Sequence, residues 1–292
     1  MQRASLARLA LLAMLWGSNF LWIKIALRGL SPTQIVLARL ALAAAVLWAI
    51  IRARGLRLPR GARLWAHLTA AALFANAVPY LAIAVGEQSV DSHLAGVLNA
   101  TAPLWTIAIA HATRHENRLT TARTAGLLIG FAGTLLIFAP WQTTSVPHTW
   151  GALACLTAAL SYGISYVYMD RFLARRGVPP LTLSAAQLLS ATALLAAATP
   201  FTGLQPITPR PDALASLTLL GVLGTGAAYV LNYQLITHDG ATAASTVTYL
   251  LPLVALALGA ATLHEPLTTN TLAGVALTLA GVALTRWADP ER

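Results

Sequence analysis

Stretches of about 20 mostly apolar residues recur along the whole chain, and they constrain its fold more than any other feature. A helix of that length spans the roughly 30 Å hydrocarbon core of a bilayer. Lipid offers no hydrogen-bond partner to backbone N–H and C=O groups, so spanning segments of this kind must be helical. Two clear examples read LARLALAAAVLWAII and TLAGVALTLAGVALT. The chain is therefore predicted to be an all-α membrane protein that crosses the bilayer many times.

Ten such spans are predicted, five in each half of the 292-residue chain. Composition agrees, because only 10% of the residues are charged, against about 25% in soluble domains. The single cysteine, Cys155, excludes an intramolecular disulfide. The predicted spans are 5–27, 32–52, 64–87, 92–113, 120–139, 148–170, 178–200, 211–237, 241–263 and 268–287.

The net charge of +10 could indicate a nucleic-acid partner, so the position of the charges decides its meaning. With the N-terminus in the cytoplasm, most Lys and Arg residues fall at cytoplasmic span ends. Arg28 and Arg210 fall outside, and Lys24 and Arg39 fall within spans. This positive-inside bias predicts a multi-pass membrane protein with both termini cytoplasmic. The distribution of the basic residues thus predicts the lipid bilayer as a partner, and no nucleic-acid partner.

A phrase near the middle of the chain returns near its end: HENRLTTARTAGLLIGFAG at 115–133 and HEPLTTNTLAGVALTLAG at 264–281. The same offset of about 149 residues aligns Tyr80 with Tyr229 and Pro103 with Pro252. The sequence therefore predicts two five-helix repeats, 1–140 and 141–292. Because each repeat has an odd number of spans, the second repeat is inverted in the membrane relative to the first. Inverted repeats are a known transporter architecture, with the substrate site near the bilayer midplane.

The repeated His-Glu pair raises the question of a metal site. Zinc proteases of the His-Glu-x-x-His type need a second histidine where Leu119 and Thr268 stand. Inversion also puts the two pairs on opposite sides of the membrane. The sequence therefore predicts no enzyme, no metal and no cofactor, and Thr120 and Thr268 are interpreted as helix caps.

The phrase WGSNF at 16–20, the ten spans, the duplication and the paired Glu…Leu-Thr starts of spans 5 and 10 are similar to the EamA branch of the drug/metabolite transporter superfamily. Within that branch, amino-acid exporters of the YddG type are the nearest resemblance. The resemblance implies export of small metabolites across the inner membrane, through a central cavity lined by helices 1, 3, 4, 6, 8 and 9.

One face of span 1 and its counterpart on span 6 are polar and aromatic where lipid would favour leucine. Positions three, four and eight residues apart share a helix face, and a small-molecule site needs apolar walls with a few polar groups. Packing between helices, or snorkelling for the lysine, is the alternative. The predicted substrate-binding residues here are Trp16, Asn19, Phe20 and Lys24 on span 1, and Tyr162, Ser165 and Tyr166 on span 6.

Prolines predicted inside spans 3, 4 and 9 each leave a carbonyl without its helical donor. Pro79, Pro103 and Pro252 are therefore predicted hinges. The carbonyls freed by the last two belong to Asn99 and Thr248, which are predicted to bind substrate. A kink satisfied by neighbouring groups is the alternative.

Three further residues complete the predicted substrate site: the aligned Tyr80 and Tyr229, and Asn232 beyond the latter. Arg39 is buried by its position in span 2, and it is predicted to pair with Glu87 or Asp91 as an ion pair or gate. Glycines in spans 5 and 10 predict close helix packing, within a monomer or between the copies of a homodimer.

The predicted cargo is small metabolites, first of all amino acids, including aromatic and other neutral ones. No Asp or Glu lies at a span midpoint, where proton-driven transporters often carry one, so facilitated export is favoured. Another metabolite or drug, with proton coupling, is the alternative.

Overall fold

The computed structural model describes residues 2–86, 97–114, 120–139, 141, 149–202, 206–208, 210–263 and 269–287. Every long element in these ranges is a helix. The first half contains α1 (Gln2–Gly17), α2 (Asn19–Ala26), α3 (Pro32–Ala53), α4 (Ala62–Ala72), α5 (Val78–Gly86), α6 (Ala102–Ala112) and α7 (Thr121–Phe138). The second contains α8 (Thr149–Met169), α9 (Pro180–Thr202), α10 (Pro211–Gly221), α11 (Ala228–Ser245), α12 (Val247–Leu263) and α13 (Thr269–Trp287).

Six helical stretches among the described residues are long and apolar enough to cross a membrane, which confirms the all-α membrane prediction. The longest, Pro211–Ser245, is a merger of two helices that turn at Gly240. Gly240 has φ 81°, a left-handed conformation that glycine adopts without steric cost. The other five stretches are Ala4–Ile23, Pro32–Ala53, Ala62–Ile83, Trp150–Ala174 and Pro180–Thr199, and the shorter apolar helices are Val97–Ala112, Thr121–Ile137 and Thr269–Thr285.

Helix starts follow local sequence rules. Ser31 caps α3: its hydroxyl accepts from Gln34 N, and the Gln34 side chain accepts from Ser31 N at 2.8 Å. Thr120 caps α7 by accepting from Arg123 N at 3.2 Å, so that predicted cap is confirmed. Thr268 lies outside the described residues.

The described residues contain three π-helical segments. One, Asp170–Ala174, follows α8, and the other two join helices that meet at the centre. The first-half π segment, Leu73–Ala77, joins α4 to α5, and the second-half π segment, Val222–Ala227, joins α10 to α11. Their first residues are 149 positions apart, the offset of the sequence duplication. Single π turns of this kind occur often at functional sites. The sequence analysis did not predict them.

The prolines are placed differently from one another. The helix of span 4 is interrupted at Ala100 and Thr101, so Pro103 lies in the first turn of α6 and not in mid-helix as predicted. In a first turn the missing proline N–H leaves no helical bond unmade. Pro252 does lie inside α12, and Pro79 follows the first-half π segment.

The helices α7 and α13 pack closely within one chain. A Cβ added at Gly126 would lie 2.6 Å from Thr285 N, and one at Gly133 would lie 2.7 Å from Gly274 O. Small residues therefore let the two backbones touch, as the sequence predicted. The outward side of the pair carries exposed leucines such as Leu128 and Leu272, which suits a face toward lipid.

Candidate functional site

A buried arginine links the two halves of the molecule. Arg39, on α3, is only 5% exposed. Its Nε donates to Thr225 Oγ1 at 2.9 Å, in the second-half π segment. Its guanidinium also lies over the ring of Tyr80, 5.2 Å from the centroid, in a cation–π arrangement.

Asn19 completes the surroundings of this guanidinium. Its amide has two possible orientations, which the hydrogen-bond network must decide. One donates from Nδ2 to Gly224 O at 3.4 Å. The other donates to Leu15 O at 3.1 Å and accepts from Arg39 Nη2 at 3.3 Å. We assign the second, because it turns the amide oxygen toward the cation and makes two bonds.

The partners of Arg39 are neutral groups. Three ion pairs join side chains that both lie within the described ranges: Arg28–Asp212, Arg175–Asp170 and Arg210–Asp212. None of these involves Arg39. Its predicted partners Glu87 and Asp91 lie outside the described residues. In this part of the chain a hydroxyl, an amide oxygen and an aromatic face surround the charge.

Tyr229 caps the carbonyl that Pro79 leaves without a helical donor. Its hydroxyl donates to Ala75 O at 3.0 Å and accepts from Asn76 Nδ2 at 2.6 Å. Ala75 and Asn76 lie in the first-half π segment, and Tyr229 lies on α11 of the second half. The freed carbonyl is therefore satisfied by a side chain from the opposite half.

The network continues through two more fully buried side chains. Gln187 Nε2 donates to Asn76 Oδ1 at 3.0 Å, and Tyr233 Oη donates to Gln187 Oε1. Sequence reasoning missed Asn76, Gln187, Tyr233 and Thr225. The available signal was that Asn76 and Gln187 are amides inside otherwise apolar spans, where polar side chains are costly.

Aromatic side chains surround the network. The ring of Trp16 meets that of Tyr229 edge to face, with centroids 6.2 Å apart. Tyr80 packs against the buried cluster that contains Tyr229, and Tyr162 and Tyr166 lie near enough to Tyr229 to interact with it electrostatically. The structure thus brings together six predicted substrate-site residues and Arg39; the six are Trp16, Asn19, Tyr80, Tyr162, Tyr166 and Tyr229.

Two predicted asparagines present buried amide oxygens that accept no hydrogen bond. These atoms are Oδ1 of Asn99 and Oδ1 of Asn232. Asn232 follows Tyr229 by three residues on α11, a rise of about 4.5 Å along the axis. A buried acceptor without a donor costs about 1–3 kcal/mol, so such oxygens are suited to receive a ligand N–H or a water.

Of the remaining predicted residues, two make hydrogen bonds to nearby backbone carbonyls, and two have side chains outside the described part of the structure. The Ser165 hydroxyl donates to Tyr162 O, and the Thr248 hydroxyl donates to Ser245 O, both at 2.8 Å. Phe20 and Lys24 lie on α2, and their side chains are outside the described part of the structure.

The described residues contain no group of three or more His, Cys, Asp or Glu side chains that could hold a metal ion. The repeated His-Glu pairs, 115–116 and 264–265, fall outside the described ranges.

Comparison with known proteins gives a family match along nearly the whole chain. The model of the EamA-like transporter family matches residues 5–139 and 149–287. A protein of Archaeoglobus fulgidus named an uncharacterized transporter is 27% identical over 94% of this chain and 95% of its own length. Bacillus subtilis YoaV, also named an uncharacterized transporter, is 26% identical over 96% and 95%. Escherichia coli YedA, named an uncharacterized inner membrane transporter, is 28% identical over 85% and 79%.

The fold is found in a solved structure as well. A crystal structure superposes with a TM-score of 0.81, covering 97% of this chain and 98% of the other at 21% identity. At that identity the likeness concerns the fold alone.

Proposed function

This chain belongs to the EamA-like transporter family, and from that premise we propose that it exports amino acids, aromatic and other neutral ones, by alternating access. The observation that carries the proposal is where the polar site lies. Arg39, Asn76 and Tyr80 come from the first half, whereas Thr225 and Tyr229 come from the second. A site built across the contact between halves changes shape when the halves move.

The proposed architecture is ten transmembrane helices in two inverted five-helix repeats, 1–140 and 141–292, around a central site. Two observations support it: the family model matches each half, and the two π segments begin 149 residues apart. Inversion gives the protein two exchangeable conformations, one open to each side. The protein is proposed to lie in the cell inner membrane with both termini cytoplasmic, as a monomer or homodimer.

Among the described residues, the two halves contact each other at the site and near both ends of span 1. Tyr233, Asn76 and Gln187 are fully buried. At one end Ser5 donates to the Asp239 carboxylate, and at the other Thr208 N donates to Gly29 O at 3.0 Å. Each contact joins the two halves, so a passing substrate needs one end open at a time.

The chemistry of the site supports a small amphipathic cargo. The aromatic residues Trp16, Tyr162 and Tyr166 offer flat walls for an apolar side chain. The amide oxygens of Asn99 and Asn232 offer acceptors for an N–H donor. The site therefore has both the apolar and the polar groups that a neutral amino acid needs.

The transport is proposed to be driven by the substrate gradient. The buried described carboxylates, Asp170 and Asp239, lie at helix or span ends, and Asp170 pairs with Arg175 at 3.1 Å. A carboxylate at such a position is already engaged in a structural contact, which leaves it poorly placed to carry protons through the centre.

The test is substrate flux into liposomes that contain the purified protein. We expect neutral and aromatic amino acids to move down their gradients at rates that a pH gradient does not change. Movement of another metabolite or a drug, with no amino-acid flux, would support the alternative cargo. Strict dependence on the pH gradient would support proton-coupled export instead.

A further inference from the structure

We propose that Arg39 is the docking group for the substrate's carboxylate, which makes it a specificity-determining residue of the site. This inference rests on the proposed function and deepens it, because it predicts that a carboxylate is required in the cargo. The sequence alone favours a structural ion pair or a gate for Arg39. The structure instead surrounds it with neutral partners among the described residues.

The first argument is the cost of the charge. A guanidinium inside a membrane protein is expensive and marks a functional site unless it is paired. The hydroxyl of Thr225, the amide of Asn19 and the ring of Tyr80 reduce this cost without neutralising the charge. An anionic ligand would complete the pairing, because charge-assisted hydrogen bonds are about twice as strong as neutral ones.

The second argument is geometry. Arginine has five N–H donors in a planar fork that matches a carboxylate bidentately. Among the described residues, Thr225 accepts from the N–H on Nε and Asn19 accepts from an N–H on Nη2. Both acceptors are neutral, so a carboxylate can displace them.

The third argument is position. Tyr80, under the guanidinium, packs against the same cluster of buried side chains as Tyr229, whose ring meets Trp16. A carboxylate on Arg39 therefore brings the rest of the substrate to the aromatic cluster. Displacing the Thr225 hydroxyl also removes a hydrogen bond between α3 and the second-half π segment, which links occupancy of the site to the contact between the halves.

The wild-type protein provides the first test, with probes that share one side chain. The set is phenylalanine, 3-phenylpropanoate, phenylalanine amide and phenethylamine. Flux in liposomes should be at least about ten-fold greater for the two carboxylates than for the amide and the amine, since a hydrogen bond to a charged group contributes roughly 1.5–3 kcal/mol. An amide carried as well as its acid overturns the inference.

The second test removes the charge. In Arg39→Gln the KM for phenylalanine should rise about 10- to 100-fold with little change in kcat, and the preference for acid over amide should vanish. Arg39→Lys keeps a point charge without the fork, so it should keep the preference with a smaller rise in KM. A loss that is equal for acid and amide in Arg39→Gln indicates a structural role and overturns the inference.

A matched control lies on the same helix. Arg52 lies over the ring of Trp48 at 5.7 Å, in the last turn of α3. Arg52→Gln should leave the preference for acid over amide unchanged. If Arg39→Gln does not fold, the wild-type probe set and Arg39→Lys still decide the question. A wild-type protein that moves no member of the set refutes the proposed amino-acid cargo, whereas one that moves acid and amide alike refutes only the role of Arg39.

Discussion

At the scale of single residues, the Tyr229 hydroxyl shows how the two halves satisfy each other's polar groups. It donates to Ala75 O and accepts from Asn76, both in the opposite half. The carbonyl of Ala75 is the one that Pro79 deprives of a helical N–H. A proline in one repeat therefore depends on a tyrosine in the other, and the sequence duplication alone does not reveal this dependence.

Tyr229→Phe tests this dependence. The variant keeps the ring against Trp16 but leaves Ala75 O and Asn76 Nδ2 without that partner. We expect a loss of about 1–3 kcal/mol of stability, because buried polar groups lose their bonds. Thermal melting in detergent measures the loss.

Tyr168→Phe is the control for that experiment. Its hydroxyl bonds His67 Nδ1 at 2.7 Å in a half-buried position, where water can replace it. We expect a smaller change than for Tyr229→Phe. Equal melting temperatures for Tyr229→Phe and the wild type would contradict the proposed hydrogen bond from Tyr229 to Ala75 O.

At the scale of elements, the two π segments decide where polar groups meet. A π turn shifts the register of the following helix by one residue, and each segment contributes to the site. The first-half segment contributes Asn76 and the carbonyl of Ala75, and the second-half segment contributes Thr225. The helical periodicity of the sequence predicted the faces of spans 1 and 6 but carried no sign of these turns.

Two glycines of the second-half π segment provide a paired prediction. A Cβ at Gly224 would collide with the Asn19 amide, whereas one at Gly226 would have Gly221 O at 3.4 Å as its nearest neighbour. Gly224→Ala should therefore displace Asn19 from Arg39 and cost about 1–3 kcal/mol through overpacking. Gly226→Ala should remain within about 1 kcal/mol of the wild type.

Melting temperatures of the two variants, compared with the wild type, measure the difference. The same preparations should show a raised KM only for Gly224→Ala, since only that change reaches the arginine site. Equal behaviour of the two variants would refute the contact between Asn19 and Gly224.

At the scale of the whole molecule, transport by alternating access requires that the ends of the site open in turn. The start of α1 is held to α11, beside its turn at Gly240, by the hydrogen bond between Ser5 and Asp239. These residues belong to opposite halves, so their separation is a direct measure of opening at that end.

Cross-linking this end tests the cycle. In Ser5→Cys/Asp239→Cys, a short reducible bis-methanethiosulfonate reagent should join the two thiols and abolish transport, and reductant should restore it. The native Cys155 is fully buried, so it should not react under the same conditions. Each single-cysteine variant is the control and should keep its activity. Undiminished flux through the cross-linked protein would refute opening at this end.

The sequence by itself determined the class of the protein. Apolar stretches of bilayer length fix helices, because in lipid the backbone must satisfy its own polar groups. The duplicated phrase and the motifs around Trp16 and Asn19 led to the family, which the comparison confirms. The same pattern located six of the residues that gather at the centre, among them Tyr80 and Tyr229.

Only the tertiary structure decided which polar groups meet. The bond from Arg39 to Thr225 and that from Gln187 to Asn76 join residues separated by 186 and 111 positions. Contacts at such separations depend on how helices pack and on two π turns, and helical periodicity contains neither. The break at Ala100 and Thr101, which put Pro103 in a first turn, was hidden for the same reason. Periodicity reports which face of a helix avoids lipid, whereas the partner of each buried polar group is set by packing.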